Sequence, residues 1–394
     1  MTPDKMRDPS IPATPGDSAP APGISGGAVP RLDTLTGGPR TEGSGALSQV
    51  WVGKSLGKYQ VTGVLGQGGM ALVLKGYDPT IEREVAIKIL ADHLASDPTA
   101  LPRFLAEARA AGKLNHPNVV GIYEVCQQDQ THYLVLEYVP GGSLNDRLAD
   151  QGALAVLEAT QVLIDACKGV GAAHAAGLIH RDIKPANLMR AADGSIKVAD
   201  FGLAKGGSTS GRHLTQTGMA VGTPYFMSPE QCESKPVDHR SDLYSLGATY
   251  YSLLTCQHPF ADTEGVPQLM YMHCYGPIPD PRSVNPAIPQ ACSQIVARAM
   301  AKAPAERYQS TSEMLADLQA VAAALSGQAP ITLPSGSRPI PATLPAAPRP
   351  RFPIRREARR EARHSPWVAT PFRRRRTADW VRRFPLGAVE EHSR

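Results

Sequence analysis

Four polar residues stand close together near the middle of the chain: Asp182, Lys184, Asn187 and Asp200. The first three belong to the run His-Arg-Asp-Ile-Lys-Pro-Ala-Asn, and the last opens Asp-Phe-Gly. A carboxylate can orient an attacking hydroxyl, carboxylate and amide oxygens suit Mg²⁺, and an ammonium group offsets charge on a moving phosphoryl group. The four residues therefore indicate phosphoryl transfer.

A further cation and a further anion precede this group. Lys88 interrupts the apolar run Val-Ala-Ile-Lys-Ile-Leu, which predicts a buried strand. It is either an edge residue that reaches solvent or a cation held in a cleft against an anion. A helix is predicted over residues 99–114, where Glu107 lies beside the apolar stripe. Glu107 is either a solvated helix residue or the inward partner of Lys88.

A glycine-rich loop, Leu-Gly-Gln-Gly-Gly-Met-Ala-Leu-Val at residues 65–73, joins two predicted strands. Glycine lets backbone N–H groups approach phosphate oxygens without a Cβ in the way. Such turns are common, so the loop alone is a weak indication. Its position between two strands, not before a helix, argues against a dinucleotide-binding fingerprint.

The charge of the chain is unevenly distributed. Residues 326–394 contain 15 arginines, no lysine and 5 acidic residues, whereas the other 325 residues carry 26 basic and 31 acidic groups. Residues 1–50 and 326–394 also hold 8 and 11 of the 36 prolines. We therefore predict a folded body over residues 59–325. A disordered Pro/Gly-rich segment (1–58) should precede it and a disordered basic tail (326–394) should follow.

Several classes of protein are excluded by composition. With 42% hydrophobic residues the chain is not wholly disordered. We find no run of about 18 apolar residues and no apolar segment near the N-terminus, so neither a transmembrane helix nor a secretory signal is expected. The six cysteines form no C-x-x-C pair and are predicted to be reduced thiols of a cytoplasmic protein: Cys126, Cys167, Cys232, Cys256, Cys274 and Cys292.

These motifs, in this order, resemble the eukaryotic-like protein kinases, and most closely the bacterial serine/threonine kinases. The resemblance covers residues 59–325. It implies an α+β fold of two lobes, with a five-stranded antiparallel sheet and one helix in the small lobe. A mostly helical large lobe is expected after Pro140. The implied activity is transfer of the γ-phosphate of ATP to serine or threonine hydroxyls of proteins.

The resemblance also implies a role for each site residue. Asp182 would be the catalytic carboxylate, and Lys184 would contact the γ-phosphate. Asn187 and Asp200 would bind Mg²⁺, with Mn²⁺ as an alternative. Lys88 would hold the α- and β-phosphates.

Glu107 would be the helix partner of that strand lysine, and Leu136 would be the gatekeeper. The other ATP-binding positions would surround the phosphates and the adenine ring: Leu65, Gly66, Gln67, Gly68, Gly69, Met70, Ala71, Leu72, Val73, Ala86, Glu137, Val139 and Met189.

The resemblance extends to regulation and to scaffold residues. Autophosphorylation of Thr215, Thr217 or both, which self-association would permit in trans, is expected to activate the enzyme. Residues 222–230 resemble the end of an activation segment, in which Thr223 would contact the catalytic loop. Asp242 would anchor that loop, and Arg307 would pair with the glutamate at position 230.

Three positions depart from the usual pattern. Ala71 replaces the third loop glycine, and Ser228 replaces a small alanine before Pro-Glu. Ala111 stands where a larger residue can pack, which would leave the helix of Glu107 loosely held.

Two other functions remain open at this stage. One is a nucleotide-binding pseudokinase that acts as a scaffold, although no catalytic position is degraded. The other is a small-molecule kinase, although such enzymes usually lack a long activation segment. The basic tail is either a solvated extension or a contact to anionic lipid or nucleic acid, which would allow peripheral membrane association.

Overall fold

In the computed structural model, residues 51–67, 71–91, 95–201, 224–263, 265–328 and 333–334 are described. The small lobe is one antiparallel sheet of six strands in the order β1-β2-β3-β4-β6-β5. The strands are β1 (Ser55–Leu56), β2 (Tyr59–Gln67), β3 (Ala71–Asp78), β4 (Arg83–Leu90), β5 (Ile122–Gln128) and β6 (Thr131–Glu137). Helix α1 (Ala100–Ala111) follows β4.

The central strands are buried on both faces. Val85, Ile87 and Ile89 of β4 enter the small-lobe core, while Leu90 belongs to the core that extends into the large lobe. A strand covered on both sides reads as a nearly continuous apolar run. Lys88 is the exception in that run, and its side chain retains 16% exposure because it faces the cleft between the lobes.

Helix α1 begins where the sequence predicts and ends earlier. The carboxylate of Asp97 accepts hydrogen bonds from the backbone N–H groups of Thr99 and Ala100, at 2.7 and 3.0 Å, which supplies partners at the first turn. Phe104, Ala108 and Ala111 form its buried stripe. Because these three residues lie at helical spacing and pack inward, the opposite face of the helix is exposed to solvent.

The ordered chain extends beyond both predicted boundaries. Trp51 is 3% exposed in the small-lobe core, and β1 pairs with β2, so the prediction that residues 1–58 are unstructured is wrong for 51–58. The predicted five-stranded sheet accordingly gains a sixth strand. At the other end Leu333 packs against the large-lobe core, beyond the predicted boundary at residue 325. The physical reason is the packing of a large apolar side chain, buried Trp51 at one end and partly buried Leu333 at the other.

The large lobe is mostly helical over its described residues. Its helices are α2 (Leu144–Gln151), α3 (Val156–Ala175), α4 (Pro229–Cys232), α5 (His239–Thr255), α6 (Val266–Tyr275), α7 (Gln290–Ala299) and α8 (Thr311–Leu325). Strands β7 (Leu188–Arg190) and β8 (Ile196–Val198) form a small antiparallel ribbon. Among the described residues, no helix has both the length and the apolar character that crossing a bilayer requires.

Helix α5 is the scaffold of this lobe. Every residue from position 241 to Thr255 is buried, and Asp238 caps the N-terminus by accepting a hydrogen bond from the N–H of Arg240 at 2.8 Å. A helix that is buried on all sides needs its polar groups paired. One of them, Asp242, finds its partners in the catalytic loop.

Candidate active site

The catalytic loop brings three of the predicted residues into contact. The ammonium Nζ of Lys184 lies 2.9 Å from Oδ2 of Asp182. The side-chain amide of Asn187 donates to the backbone oxygen of Asp182 at 2.7 Å and to its Oδ2 at 3.3 Å. The carboxylate of Asp182 keeps 24% exposure, so it is fixed in place and still open to the cleft.

Asp242 of α5 anchors this loop to the large lobe. Its carboxylate accepts the backbone N–H groups of His180 and Arg181, both at 2.8 Å, and its side chain is fully buried. A ring nitrogen of His174 lies 2.8 Å from the same carboxylate. The predicted anchoring role of Asp242 is confirmed, and it explains how a buried charge is tolerated here.

His180 links the loop to the strand that delivers Asp200. Its Nδ1 accepts the backbone N–H of Asp182 at 3.3 Å, so Nε2 carries the proton and donates to the backbone oxygen of Ala199 at 2.9 Å. The His180 ring also lies 4.7 Å from the ring of Phe201. His180 thus joins the catalytic loop to the segment of Ala199 and Phe201.

Two residues of the site have left-handed backbone conformations. Arg181 has φ of 64° and Asp200 has φ of 58°. A non-glycine residue in this region costs about 1–2 kcal/mol and persists only where surrounding contacts fix it. At Arg181 the fixing contacts are the hydrogen bond to Asp242 and one from the Gln231 amide to the Arg181 backbone oxygen at 2.9 Å.

Lys88 does not make the predicted ion pair with Glu107. Its ammonium Nζ lies 2.7 Å from Oδ1 of Asp200. Burial opposes ionisation of Asp200, but the Lys88 ammonium outweighs it and holds the pKa of this carboxyl below its ordinary value. The prediction is wrong for this conformation because Asp200 is the anion that takes the lysine.

Glu107 instead lies in the electrostatic field of two arginines. Its side chain is half-buried, and burial raises the pKa of Glu107 while the charges of Arg181 and Arg103 oppose that rise. The arginine that precedes the catalytic aspartate therefore lies in the electrostatic reach of the α1 glutamate. Sequence alone offered no means to choose between Lys88 and Arg181 as the partner.

The adenine positions lie where the lobes meet. Ala86 of β4 and Val139 are buried, and Met189 lies on β7 below them. In the sheet Ala86 pairs with Leu136, which brings the hinge alongside β4. The hinge is braced at Glu137, whose N–H donates to the backbone oxygen of Gly121 at 2.8 Å.

The carboxylate of Glu137 is also engaged, with Lys197 Nζ at 3.0 Å from Oε1 and the Gly121 N–H at 3.1 Å from Oε2. The side chain of Glu137 is therefore a brace between the hinge and the β7–β8 ribbon. Because its N–H and its carboxylate are both engaged, Glu137 would offer its backbone oxygen to a nucleotide base.

The glycine-rich loop is described in part. Gly66 and Gln67 end β2 opposite Val73 and Leu72, with Leu65 45% exposed beside them and Ala71 at the start of β3. Leu72 is fully buried in the small-lobe core. The prediction that it lines the ATP site is therefore wrong for its side chain. Gly68, Gly69 and Met70 lie outside the described residues.

The donor set suits magnesium. Asn187 and Asp200 supply one amide and one carboxylate, and the described residues contain no cluster of three or more histidine, cysteine or acidic side chains that would bind a metal by itself. Mg²⁺ usually takes one or two protein oxygens and fills its other positions with phosphates and water. The two residues therefore fit a metal that arrives with a nucleotide.

The end of the activation segment is anchored by a buried ion pair. Glu230 Oε1 and Oε2 each lie 2.8 Å from a guanidinium nitrogen of Arg307, and the hydroxyl of Ser241 also donates to Glu230. This confirms the predicted partner of Arg307. Thr215, Thr217 and Thr223 lie outside the described residues.

Sequence reasoning missed the contacts that hold Tyr225 and Phe226, shortly before Glu230, against the large lobe. The ring of Tyr225 stacks on His258 with centroids 4.3 Å apart, and the ring of Phe226 meets the same histidine edge-on at 5.5 Å. The hydroxyl of Ser245 donates to the backbone oxygen of Phe226 at 2.7 Å. His258 lies in the turn after α5, so no local pattern in the sequence pointed to it.

Comparison with known proteins agrees with this geometry. The profile of the protein kinase domain matches residues 59–317. The chain belongs to the protein kinase family. The resemblance drawn from the motifs, and with it the two-lobed fold, is confirmed.

The kinase domain is similar to those of named bacterial enzymes. The serine/threonine-protein kinase PknB of Mycolicibacterium smegmatis is 37% identical over 297 residues, which are 74% of this chain and 47% of PknB. A probable serine/threonine-protein kinase PknB of Corynebacterium glutamicum is 39% identical over 269 residues, 66% of this chain and 42% of that protein. The chain thus spans less than half the length of these curated relatives.

A solved structure gives the same picture of the kinase domain. The crystal structure of the PknI kinase domain of Mycobacterium tuberculosis superposes with a TM-score of 0.55 at 26% sequence identity. The match covers 68% of this chain and 97% of the PknI chain.

Proposed function

We propose that the chain is an ATP-dependent protein serine/threonine kinase. The observation that carries this proposal is the contact of Asp182 with both Lys184 and Asn187, at 2.9 and 2.7 Å, on a loop anchored by Asp242. The names of the bacterial relatives, all serine/threonine-protein kinases, support the same substrate class.

Each residue contributes a charge or an orientation to the reaction. Asp182 orients the attacking hydroxyl and accepts its proton, while Lys184 offsets negative charge on the transferred γ-phosphoryl group. Asn187 fixes the backbone and carboxylate of Asp182 by hydrogen bonds. Positioning and electrostatic stabilisation supply most of the rate, because the protein forms no bond to the phosphoryl group.

Asn187 and Asp200 would hold Mg²⁺, with Mn²⁺ as the alternative ion. When bound, the cation would neutralise phosphate charge. Lys88, whose Nζ lies 2.7 Å from Asp200, would hold the α- and β-phosphates of ATP. The adenine ring would lie between Val73 and Ala86 above and Met189 below.

The proposal is tested by phosphate transfer from γ-labelled ATP to a basic model protein, followed by analysis of the acceptor residues. Asp182→Asn should lower transfer at least about a hundredfold because it removes the orienting carboxylate. Asp193→Asn is the matched control, since Asp193 binds Ser195 in the turn before β8 and belongs to no part of the site.

Other outcomes identify the alternatives. ATP binding without any transfer, equal in wild type and Asp182→Asn, would identify a pseudokinase scaffold. Transfer to small hydroxyl compounds in place of protein would identify a small-molecule kinase. Label on tyrosine alone would overturn the serine/threonine assignment.

Activation by autophosphorylation of Thr215, Thr217 or both is part of the proposal. A phosphate group brings about −1.5 to −2 charges and pairs with arginine in two-pronged fashion. Arg181 is the receiving group that we infer, because it adjoins Asp182 and its charge acts on Glu107. Self-association would allow one copy to modify another. Mass spectrometry of active enzyme with both threonines unmodified would contradict this assignment.

The basic segment 326–394 is proposed to contact polyanions in the cytoplasm, either anionic lipid at the membrane periphery or nucleic acid. Its 15 arginines against 5 acidic residues support strong salt dependence. Deletion of residues 335–394, which spares Leu333, should abolish pelleting with anionic vesicles or DNA and leave peptide phosphorylation unchanged. Higher activity after the deletion would instead identify an autoinhibitory tail, and no change in either assay would identify a solvated extension.

A further inference from the structure

A histidine in the turn after α5 supports the chain segment that leads into α4. The rings of His258 and Tyr225 are nearly parallel, with 14° between their planes and centroids 4.3 Å apart. Phe226 meets the same imidazole edge-on, at 88° and 5.5 Å. Aromatic pairs prefer these two arrangements, because a ring has a negative face and a positive edge. His258 therefore makes favourable contacts with two consecutive side chains.

The turn that carries His258 is held by its own hydrogen bonds. The backbone N–H of Gln257 lies 3.2 Å from Oγ1 of Thr255, and that hydroxyl donates to the backbone oxygen of Tyr251 at 2.8 Å. Pro259 follows, and a residue before proline is restricted to extended backbone conformations. The imidazole is thus carried by a fixed backbone and not by a free loop.

The same helix fixes both the catalytic loop and the segment that His258 supports. The carboxylate of Asp242 accepts the N–H of Arg181 at 2.8 Å, and the hydroxyl of Ser245 donates to the backbone oxygen of Phe226 at 2.7 Å. Residues three apart lie on one face of a helix. A protein whose hydroxyl enters the catalytic loop must therefore pass close to Phe226.

The segment also has side chains available for contact. Tyr225, Phe226 and Met227 are all partly exposed, whereas Pro224 before them and Ser228 after them are buried. Three consecutive large side chains beside the catalytic loop offer a surface to a polypeptide but are remote from the strands that line the nucleotide cleft.

The imidazole acts here as a neutral ring. Burial lowers the pKa of His258, so the side chain is uncharged at neutral pH. Within the described part of the chain its buried Nδ1 has no hydrogen-bond partner. An unpaired buried polar atom costs free energy. The ring contacts with Tyr225 and Phe226, and not a hydrogen bond through Nδ1, are therefore what this side chain contributes.

We propose that His258 is a positioning residue for the protein substrate, whose ring holds Tyr225 and Phe226 in the conformation that receives the polypeptide around the acceptor hydroxyl. This inference rests on the proposed kinase function. Without the ring, a smaller fraction of the molecules has the receiving conformation, and the apparent affinity for protein falls by that fraction. A bound protein restores the same geometry at Asp182, so kcat is retained. ATP binds through other residues and keeps its KM.

The experiment is steady-state kinetics of the full chain, with a basic model protein and ATP varied in turn. His258→Ala should raise the KM for the protein at least about fivefold, because two aromatic contacts are lost, and should leave kcat and the KM for ATP unchanged. His258→Phe keeps a ring and should restore the wild-type KM. His258→Leu keeps volume without a ring and should behave like His258→Ala. The matched control is His132→Ala, at a partly exposed histidine on β6 of the small lobe.

Hydrogen–deuterium exchange tests the same inference without phosphotransfer. The N–H of Met227 donates to the backbone oxygen of Pro224 at 3.2 Å, so exchange of this amide reports whether the segment keeps its turn. Exchange should be faster in His258→Ala and return to the wild-type rate in His258→Phe. An unchanged exchange rate would overturn the inference.

Three kinetic results would also overturn it. They are an unchanged KM for the protein in His258→Ala, an equal rise in the KM for ATP, and a raised KM that His258→Phe does not restore. Absence of transfer by the wild type would refute the proposed function instead, and the exchange rates would then still decide whether His258 positions the segment.

Discussion

Lys88 and Asp200 form a direct ion pair, with 2.7 Å between Nζ and Oδ1. The cation expected to hold phosphates and the anion expected to hold metal thus satisfy each other in this conformation. Glu107 meanwhile lies in the field of Arg181 and Arg103. Under the proposed function, Lys88, Asp200 and Glu107 would each exchange partners before Mg-ATP could bind productively.

Lys88→Met should lower phosphotransfer at least about a hundredfold, because it removes a cation that stabilises phosphate charge in the transition state. Initial rates at saturating ATP measure the effect. Lys113→Met, at an exposed position after α1, is the control and should retain wild-type rates. Near-normal autophosphorylation of the Lys88 variant would refute the role assigned to this residue.

Glu230→Gln should destabilise the fold by about 3–5 kcal/mol at neutral pH, because it leaves the Arg307 charge buried without its partner. Burial opposes ionisation, but Arg307 holds the pKa of Glu230 below its ordinary value of 4.5. The contribution of this ion pair to the free energy of unfolding is therefore complete above about pH 4.5. It is lost as the pH falls through the lower pKa that Glu230 has in the folded state. Urea unfolding across this pH range should show that the difference in the free energy of unfolding between Glu230→Gln and wild type shrinks as the pH falls. A difference that stays constant would contradict the assignment.

Deletion of residues 1–58 should destabilise the protein, whereas deletion of residues 1–50 should not. Trp51 is 3% exposed in the small-lobe core, and truncation of a buried tryptophan typically costs about 3–5 kcal/mol. Trp51→Ala should reproduce most of the loss, which thermal unfolding measures. Val52→Ala is the control, since Val52 is 44% exposed and should change stability by less than about 0.5 kcal/mol.

Preincubation with Mg-ATP should raise the activity of the wild-type kinase and leave Arg181→Ala at its initial rate. A phosphate on the activation segment would attract Arg181 and release Glu107 toward Lys88. Initial rates before and after preincubation, with phosphate counted by mass spectrometry, check this. Equal activation of the variant at equal phosphate content would exclude Arg181 as the receiving group.

The motifs of the catalytic loop were enough to predict its geometry. The contacts of Asp242 with the loop and of Arg307 with Glu230 follow the family pattern because each satisfies a buried charge. A buried charge admits few arrangements, so the residue types determine the partners.

Other features could not be read from the sequence for identifiable reasons. Lys88 has two acidic candidates, and their competition depends on the conformation of α1, not on residue type. Trp51 stands in a glycine-containing stretch without strand periodicity, so its burial is decided by the tertiary structure.

The carboxylate of Asp242 also relates the catalytic loop to the most stable part of the large lobe. The amide hydrogens of His180 and Arg181 are bonded to a fully buried group of α5, a helix buried almost throughout. These two amides should therefore exchange with deuterated solvent only when the large lobe opens globally, at rates typical of core helices. The active loop, despite its irregular backbone, is then among the last segments of the kinase to lose protection.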